Sequence, residues 1–217
     1  MGTLQTVVTR ALVRVRGQGQ HVYANQDAQI LGIVNGILED INKDLHDIES
    51  SLAYSHGTIA TVAGTMEYTP GFSHSGFMDD GVWVTGDTLF LKMLSEADKV
   101  AFDYTASTNQ PIGYYHTEDG KVGFLWVPDA VYTVNVLYWK PLTEMTAIAS
   151  DTLPWGGTWN RFIQERLTMD MMMIQERDVT QQAALVDGVY SQAMAETYRK
   201  GVRERRVKGS FFELEGT

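Results

Sequence analysis

The sequence predicts an α+β chain in which helices near both ends form one bundle and a β-rich module is inserted between them. Three observations predict it. Apolar residues recur at helical spacing near both ends, whereas the middle carries β-branched and aromatic residues punctuated by Gly, Pro and Asp-Gly. The chain has 217 residues and no cysteine. A chain of that length buries roughly 70% of its unfolded surface, so it needs no disulfides to support a core.

Leu4, Val7, Val8, Ala11, Leu12 and Val15 share one face and predict an amphipathic helix over about Thr3–Arg16. Gly17–Gln20 ends it, and Asn25 and Asp27 are good N-cap types for the next helix. Ile30, Leu31, Val34, Ile37, Leu38, Ile41, Leu45, Ile48 and Leu52 form the clearest period in the chain and predict a long helix from about Asp27 to Ala53. Its polar face carries Glu39, Asp40, Asp44, Asp47 and Glu49. From His56 the pattern changes, and "GTIATVAGTMEYTP" reads as one or two strands ending at Pro70. "GVWVTGDTLFLKML" reads as a hairpin turning at Gly86-Asp87. Ser95 is placed to cap a short helix whose face is Ala97, Val100, Ala101 and Tyr104.

"PIGYYHTEDGKVGFLWV" reads as a second hairpin with Asp119-Gly120 at its tip. Pro128 lacks an amide donor and so ends a ladder, separating Val122–Val127 from Val131–Tyr138. Thr158 to about Gln175 is helical again, through Trp159, Phe162, Ile163 and Leu167 to the cluster Met169, Met171, Met172 and Met173. Asp178 with Gln181 forms a capping box for a final helix that runs through Val186, Tyr190, Ala193 and Thr197 to about Arg206. The predicted organisation is a helical bundle from residues 1–55 and 156–208, an inserted β-rich module over 56–155, and a flexible C-terminal tail over 209–217.

Charge is unevenly placed. The net charge is −10, yet nine of the 17 basic residues lie at the extremities. Between Gln18 and Tyr198 there are eight basic against 24 acidic residues, a net of −16. A general nucleic-acid binder carries a basic field over its body, the reverse of this pattern. Basic ends instead seek an acidic partner surface or another copy of the acidic body; the alternative is that they are solvated helix ends. No run approaches the roughly 18 apolar residues of a membrane span, and the first segment alternates polar and apolar faces, unlike a secretory signal.

Chemistry is not visible in the motifs. His21, His46, His56, His74 and His116 show no metal-binding spacing. Asp79-Asp80 before Gly81 reads as a turn, and no nucleophile elbow or phosphate loop appears. No catalytic, metal or cofactor residues are assigned. The methionine cluster fits either an adaptable contact surface or a helix buried on one side.

These residues resemble a family. "DAQILGIVNGILEDIN", with Asn35 and Asn42, "ATVAGTMEYTP", "VGFLWVPDAVYTVNVLYWKPLTEM", with Tyr138, Trp139, Pro141 and Leu142, and "DTLPWGGTWNRFIQERL" are similar to segments of the head-to-tail adaptor (connector) proteins of tailed bacteriophages, related to the tail tubular protein A of short-tailed phages. The resemblance spans nearly the whole chain. It implies a non-enzymatic structural protein of the virion neck, made in the host cytoplasm. It implies a homo-oligomeric ring, usually of twelve copies, that binds the portal protein and tail or nozzle proteins and lets DNA pass through its bore. In that setting Arg203, Arg205, Arg206, Lys208, Phe211 and Phe212 are candidates for docking a partner. Met169, Met171, Met172, Met173 and Tyr190 are candidates for the subunit interface, and Glu39, Asp40, Asp44 and Asp47 for the channel face. The alternative function is a carbohydrate- or receptor-binding module that uses Tyr114, Tyr115, Trp126 and Trp139 as exposed platforms.

Overall fold

The computed structural model describes residues 3–16, 27–87, 89–95, 98, 108–117 and 119–212, with main chain only at 16, 79 and 201–212. The chain divides into two compact units, Met1–Leu52 with Leu142–Thr217, and Ala53–Pro141.

The first unit contains four helices among the described residues: α1 (Leu4–Arg16), α2 (Asp27–Asp47), α3 (Thr158–Ile174) and α4 (Thr180–Phe212). Helix α3 packs against each of the other three. The apolar stripes read from the sequence are the buried ones. Leu4, Val7, Val8, Ala11 and Val15 of α1 are buried, as are Trp159, Phe162, Ile163, Leu167 and Met171 of α3, Ile30, Val34, Ile37, Leu38, Ile41 and Leu45 of α2, and Val186, Val189 and Ala193 of α4. Helix α2 ends at Asp47, short of the expected Ala53. Glu49 adopts a left-handed conformation (φ 47°) and the Ser50 amide bonds the Leu45 carbonyl, a C-cap built without glycine. Glu176 (φ 56°) closes α3 in the same way.

The α4 N-terminus is capped by Asp178, whose Oδ1 accepts from the Thr180 amide at 2.9 Å. The helix continues to Phe212, past the expected end near Arg206, so the first residues of the expected tail are helical. Residues 213–217, 17–26 and most of the short helix expected after Ser95 lie outside the described residues. Of that short helix, Ser95 and Asp98 are described. The Asp98 amide donates to Ser95 Oγ at 3.2 Å, while the Ser95 amide donates back to Asp98 Oδ2 at 2.9 Å.

The segment after Leu142, expected with the β module, belongs to the helical unit. The reason is a side-chain clamp. Asn35 of α2 donates from Nδ2 to the Met145 carbonyl at 3.0 Å and accepts from the Met145 amide at 2.8 Å. Asp151 then accepts from the amides of Thr146 and Ala147, and its carbonyl accepts from the Leu4 amide at 3.1 Å. Met145, Leu153 and Trp155 are buried.

The second unit is a two-sheet sandwich. One sheet has the order β1 (Tyr54–Ala60), β7 (Thr133–Trp139), β3 (Gly76–Val84); the other has the order β2 (Glu67–Tyr68), β6 (Val122–Leu125), β5 (Gly113–His116), β4 (Lys92–Met93). Their inner faces meet in one core: Ile59, Phe77, Val82, Val84, Val134 and Val136 from the first, Tyr68, Tyr114, Val122 and Phe124 from the second. The β5–β6 hairpin forms as expected, with Gly120 at φ 77° in its turn. The Gly86 turn also forms, and the Leu91 amide bonds the Val82 carbonyl at 2.7 Å. That hairpin does not continue, because β4 leaves to pair in parallel with β5 of the facing sheet. Asp79-Asp80 lies in β3 at a register shift, with Asp80 at φ 52°, so the pair makes a bulge rather than a turn. Gly123 stands opposite Tyr115 on the neighbouring strand, and a side chain there would collide with the phenol ring.

Candidate assembly surfaces

Two grooves of unlike charge flank α3. The first lies between α1 and α3 and has a volume of about 560 Å³. Arg10 and Arg14 follow each other at i, i+4 on the polar face of α1, and Arg161 rises from the first turn of α3. Glu165, at the groove floor, is only 1% exposed. The Arg14 guanidinium pairs with it, and Gln182 of α4 donates to its Oε2 at 3.0 Å and to its carbonyl at 3.1 Å. A buried carboxylate is tolerable only when paired and hydrogen-bonded, and here those partners come from two other helices, so the ion pair ties α1, α3 and α4 together. Arg10 and Arg161 have no carboxylate partner among the described residues.

The second groove, of about 370 Å³, lies between α2, α3 and α4 and is lined by Asp40, Lys43, Asp44, Arg166, Asp187 and Tyr190. The Tyr190 hydroxyl donates to Asp44 Oδ2 at 2.7 Å and its ring packs on Phe162 and Trp159. Burial first, and then the bond to Asp44, push the Tyr190 pKa up to about 12. Arg166 is held by Asp170 at 3.2 Å. Burial raises the Asp170 pKa; Arg166 works against that rise and Asp40 adds to it. A third groove, between α2 and the Leu142–Glu144 segment, carries Glu39, Asp47 and Glu144.

The expected site residues divide accordingly. Asp40 and Asp44 fall in the second groove, Glu39 and Asp47 in the third. Met171 is fully buried in its own subunit and has no surface to offer a neighbour. Met169 and Met172 are half-buried, and Met173 is 55% exposed beside Ile174 at 48%. Tyr190 is tied to Asp44 within the chain. Arg203, Arg205, Arg206, Lys208, Phe211 and Phe212 lie on the last turns of α4, and their side chains are outside the described residues.

The aromatic platform is absent from the described β module. Tyr114 and Tyr115 are 2% and 5% exposed, while Trp126 and Trp139 are half-buried. Trp126 packs with Leu94, Tyr115 and Leu125 in a small cluster, and Trp139 meets the edge of Tyr54. These rings serve packing, which removes the observation that motivated a sugar-binding reading.

Sequence reasoning missed Arg161, Glu165 and the Asn35 clamp. Only the i, i+4 pair Arg10 and Arg14 left a readable trace, as a basic stripe opposite the apolar face of α1. Among the described residues no cluster of His, Cys, Asp and Glu has the geometry of a metal site, and no helix is long and apolar enough to cross a membrane.

No individual curated protein matches the chain significantly. A family model does match, that of the SU10 adaptor protein, over residues 2–210. Fold class, the succession along the chain of two helices, largely antiparallel sheets and two further helices, and this near-complete match agree. The chain therefore belongs to the SU10 adaptor protein family and is a structural adaptor of the bacteriophage head-to-tail junction.

Proposed function

We propose that the protein assembles into a ring of twelve copies that joins the portal to the tail and lines the DNA exit channel in the virion neck. The observation that carries this reading is the family match over residues 2–210, in a chain whose body is strongly acidic. An acidic bore repels the phosphate backbone, so DNA slides through it; a basic bore would hold the genome by counterion release and slow its exit. Glu39 and Asp47, open in the third groove, are the channel-facing residues in this reading. The helical unit supplies the ring contacts, and the end of α4, from Arg203 to Phe212, docks the portal: its cations suit an acidic surface and its two phenylalanines are apolar anchors.

Sedimentation velocity and negative-stain imaging, on the protein alone and with its portal ring, test the proposal. The expected result is closed rings with a central hole, formed in solution or on the portal. A chain that stays monomeric with the portal present, and does not bind it, overturns the reading.

A further inference from the structure

We propose that the ring closes through charge: the α1–α3 groove, carrying Arg10 and Arg161, receives the acidic α2–α4 groove, carrying Asp40 and Asp187, of the next copy. This inference rests on the ring reading and names the surfaces that make it.

Four observations carry it. First, the two grooves are opposite in sign. Arg10 and Arg161 are exposed and have no carboxylate partner among the described residues, since Glu165 is already satisfied by Arg14 and Gln182. In the other groove Arg166 is committed to Asp170 and Asp44 to Tyr190, and Lys43 is the remaining lining cation against Asp40, Asp44 and Asp187, which leaves the groove net acidic. Asp40 and Asp187 are exposed and have no cationic partner among the described residues. Second, the grooves face different ways. Arg161 lines one and Arg166 the other, and five residues along a helix turn a side chain by roughly 140°. A ring needs a heterologous contact between two different patches on opposite sides of one subunit, and α3 separates these two patches in that way.

Third, acids crowd the second groove. Asp40, Asp44 and Asp187 line it against Lys43 and Arg166, and an arginine brought in by a neighbour offsets that excess of carboxylates. Fourth, another copy is the better occupant than nucleic acid. The stretch that includes Arg161 is net −16 between Gln18 and Tyr198, a field that repels a polyanion but presents an ordered acidic face to each neighbour's arginines. The contact is polar, unlike the methionine interface expected from the sequence.

Charge exchange tests it. One variant carries R10E and R161E, a second carries D40R and D187R, and a third carries all four. Assembly of each is read by mass photometry, alone and on the portal ring, with thermal melts confirming that the fold is kept. Like charges across a contact repel, so the first two variants are expected to assemble at least about tenfold more weakly than the wild type. An equimolar mixture of those two restores rings, because each supplies the face the other lacks, and so does the fourfold variant alone. If R10E/R161E melts early, R10Q/R161Q replaces it, with partial weakening expected.

Unchanged assembly of the first two variants overturns the inference and leaves the ring reading standing. So does loss of duplex-DNA binding by R10E/R161E with assembly intact, which would mark the groove as a phosphate site. Failure of the wild type to assemble, alone or on the portal, overturns the ring reading itself.

Discussion

The two units of this adaptor are stabilised in different ways. The β unit has an interior of aromatic and β-branched side chains, and its part-buried polar ties run from side chain to backbone. Tyr68 donates its hydroxyl to the Thr65 carbonyl at 2.6 Å, and Thr61 exchanges hydrogen bonds with Ala130 and Tyr132. The helical unit instead runs polar ties through its interior: Glu165 with Arg14 and Gln182, Trp159 Nε1 donating to Thr197 at 3.0 Å, and Asn35 with Met145. It also keeps charged grooves open at its surface. Satisfied polar ties fix one arrangement of the helices, and surface charge left unpaired is what electrostatic selection of a neighbour uses. In the proposed ring, that difference puts the assembly contacts on the helices.

The strongest way to break this contrast is to damage each core in turn. Ile41 is 1% exposed, and Ile41→Asp buries an unpaired charge at a cost of about 5 kcal/mol, roughly the whole stability of a modest domain. The expected outcome is loss of the cooperative helical circular-dichroism melt. Phe124 is fully buried between the sheets, and Phe124→Ala should cost about 3–5 kcal/mol by leaving a cavity. Its melt should fall steeply, and tryptophan emission from the β unit should shift red before the helical signal is lost. Loss of both signals together would show that the two units melt as one.

A smaller effect tests the polar ties. Arg14→Ala leaves Glu165 with Gln182 alone. Removing one member of a buried pair costs 3–5 kcal/mol, and because Arg14 is half exposed about 2 kcal/mol is expected by chemical denaturation. Tyr190→Phe removes the bond to Asp44 and should cost about 1 kcal/mol.

The smallest effects are pH-dependent, and the two units should respond at opposite ends of the scale. The Tyr190 pKa is raised in the folded state, from an ordinary value of 10 to about 12. Its contribution is therefore whole below pH 10 and lost as pH rises toward 12, and Tyr190→Phe should flatten that alkaline slope. His74 is the reverse. Burial lowers its pKa from 6.5, and its buried Nδ1 has no hydrogen-bond partner among the described residues. The unfolded chain takes up the proton first, so stability of the β unit falls as pH drops below 6.5. His74→Phe should remove that acid slope in a melting-temperature profile.

How much of this was legible beforehand depends on the range of the interaction. The four helical stripes were readable because burial on one face leaves a 3.6-residue period, and Ile30 to Leu45 shows it without interruption. The β5–β6 hairpin was readable because Asp119-Gly120 carries its own turn chemistry. The departure of β4 to the facing sheet was not, because a two-residue strand has no period and its partner is chosen by long-range packing. The end of α2 was missed because Ile48 and Leu52 keep the helical spacing while Glu49 breaks the backbone through a left-handed cap that glutamate does not advertise. The methionine cluster was ambiguous in sequence, and packing separates fully buried Met171 from exposed Met173 along two residues of one helix.

By itself the sequence determined the fold class, the helical character of both ends, the β character of the middle and the acidity of the body. Each is written in local spacing or composition, which need no knowledge of distant contacts. Only the tertiary structure decided which charges remain available. Arg14 and Arg161 look alike in sequence, but one neutralises a buried carboxylate from a helix 151 residues away and the other stands open. Whether a charge is spent or free depends on what the fold brings beside it, and that is set by packing between elements rather than by the residues on either side.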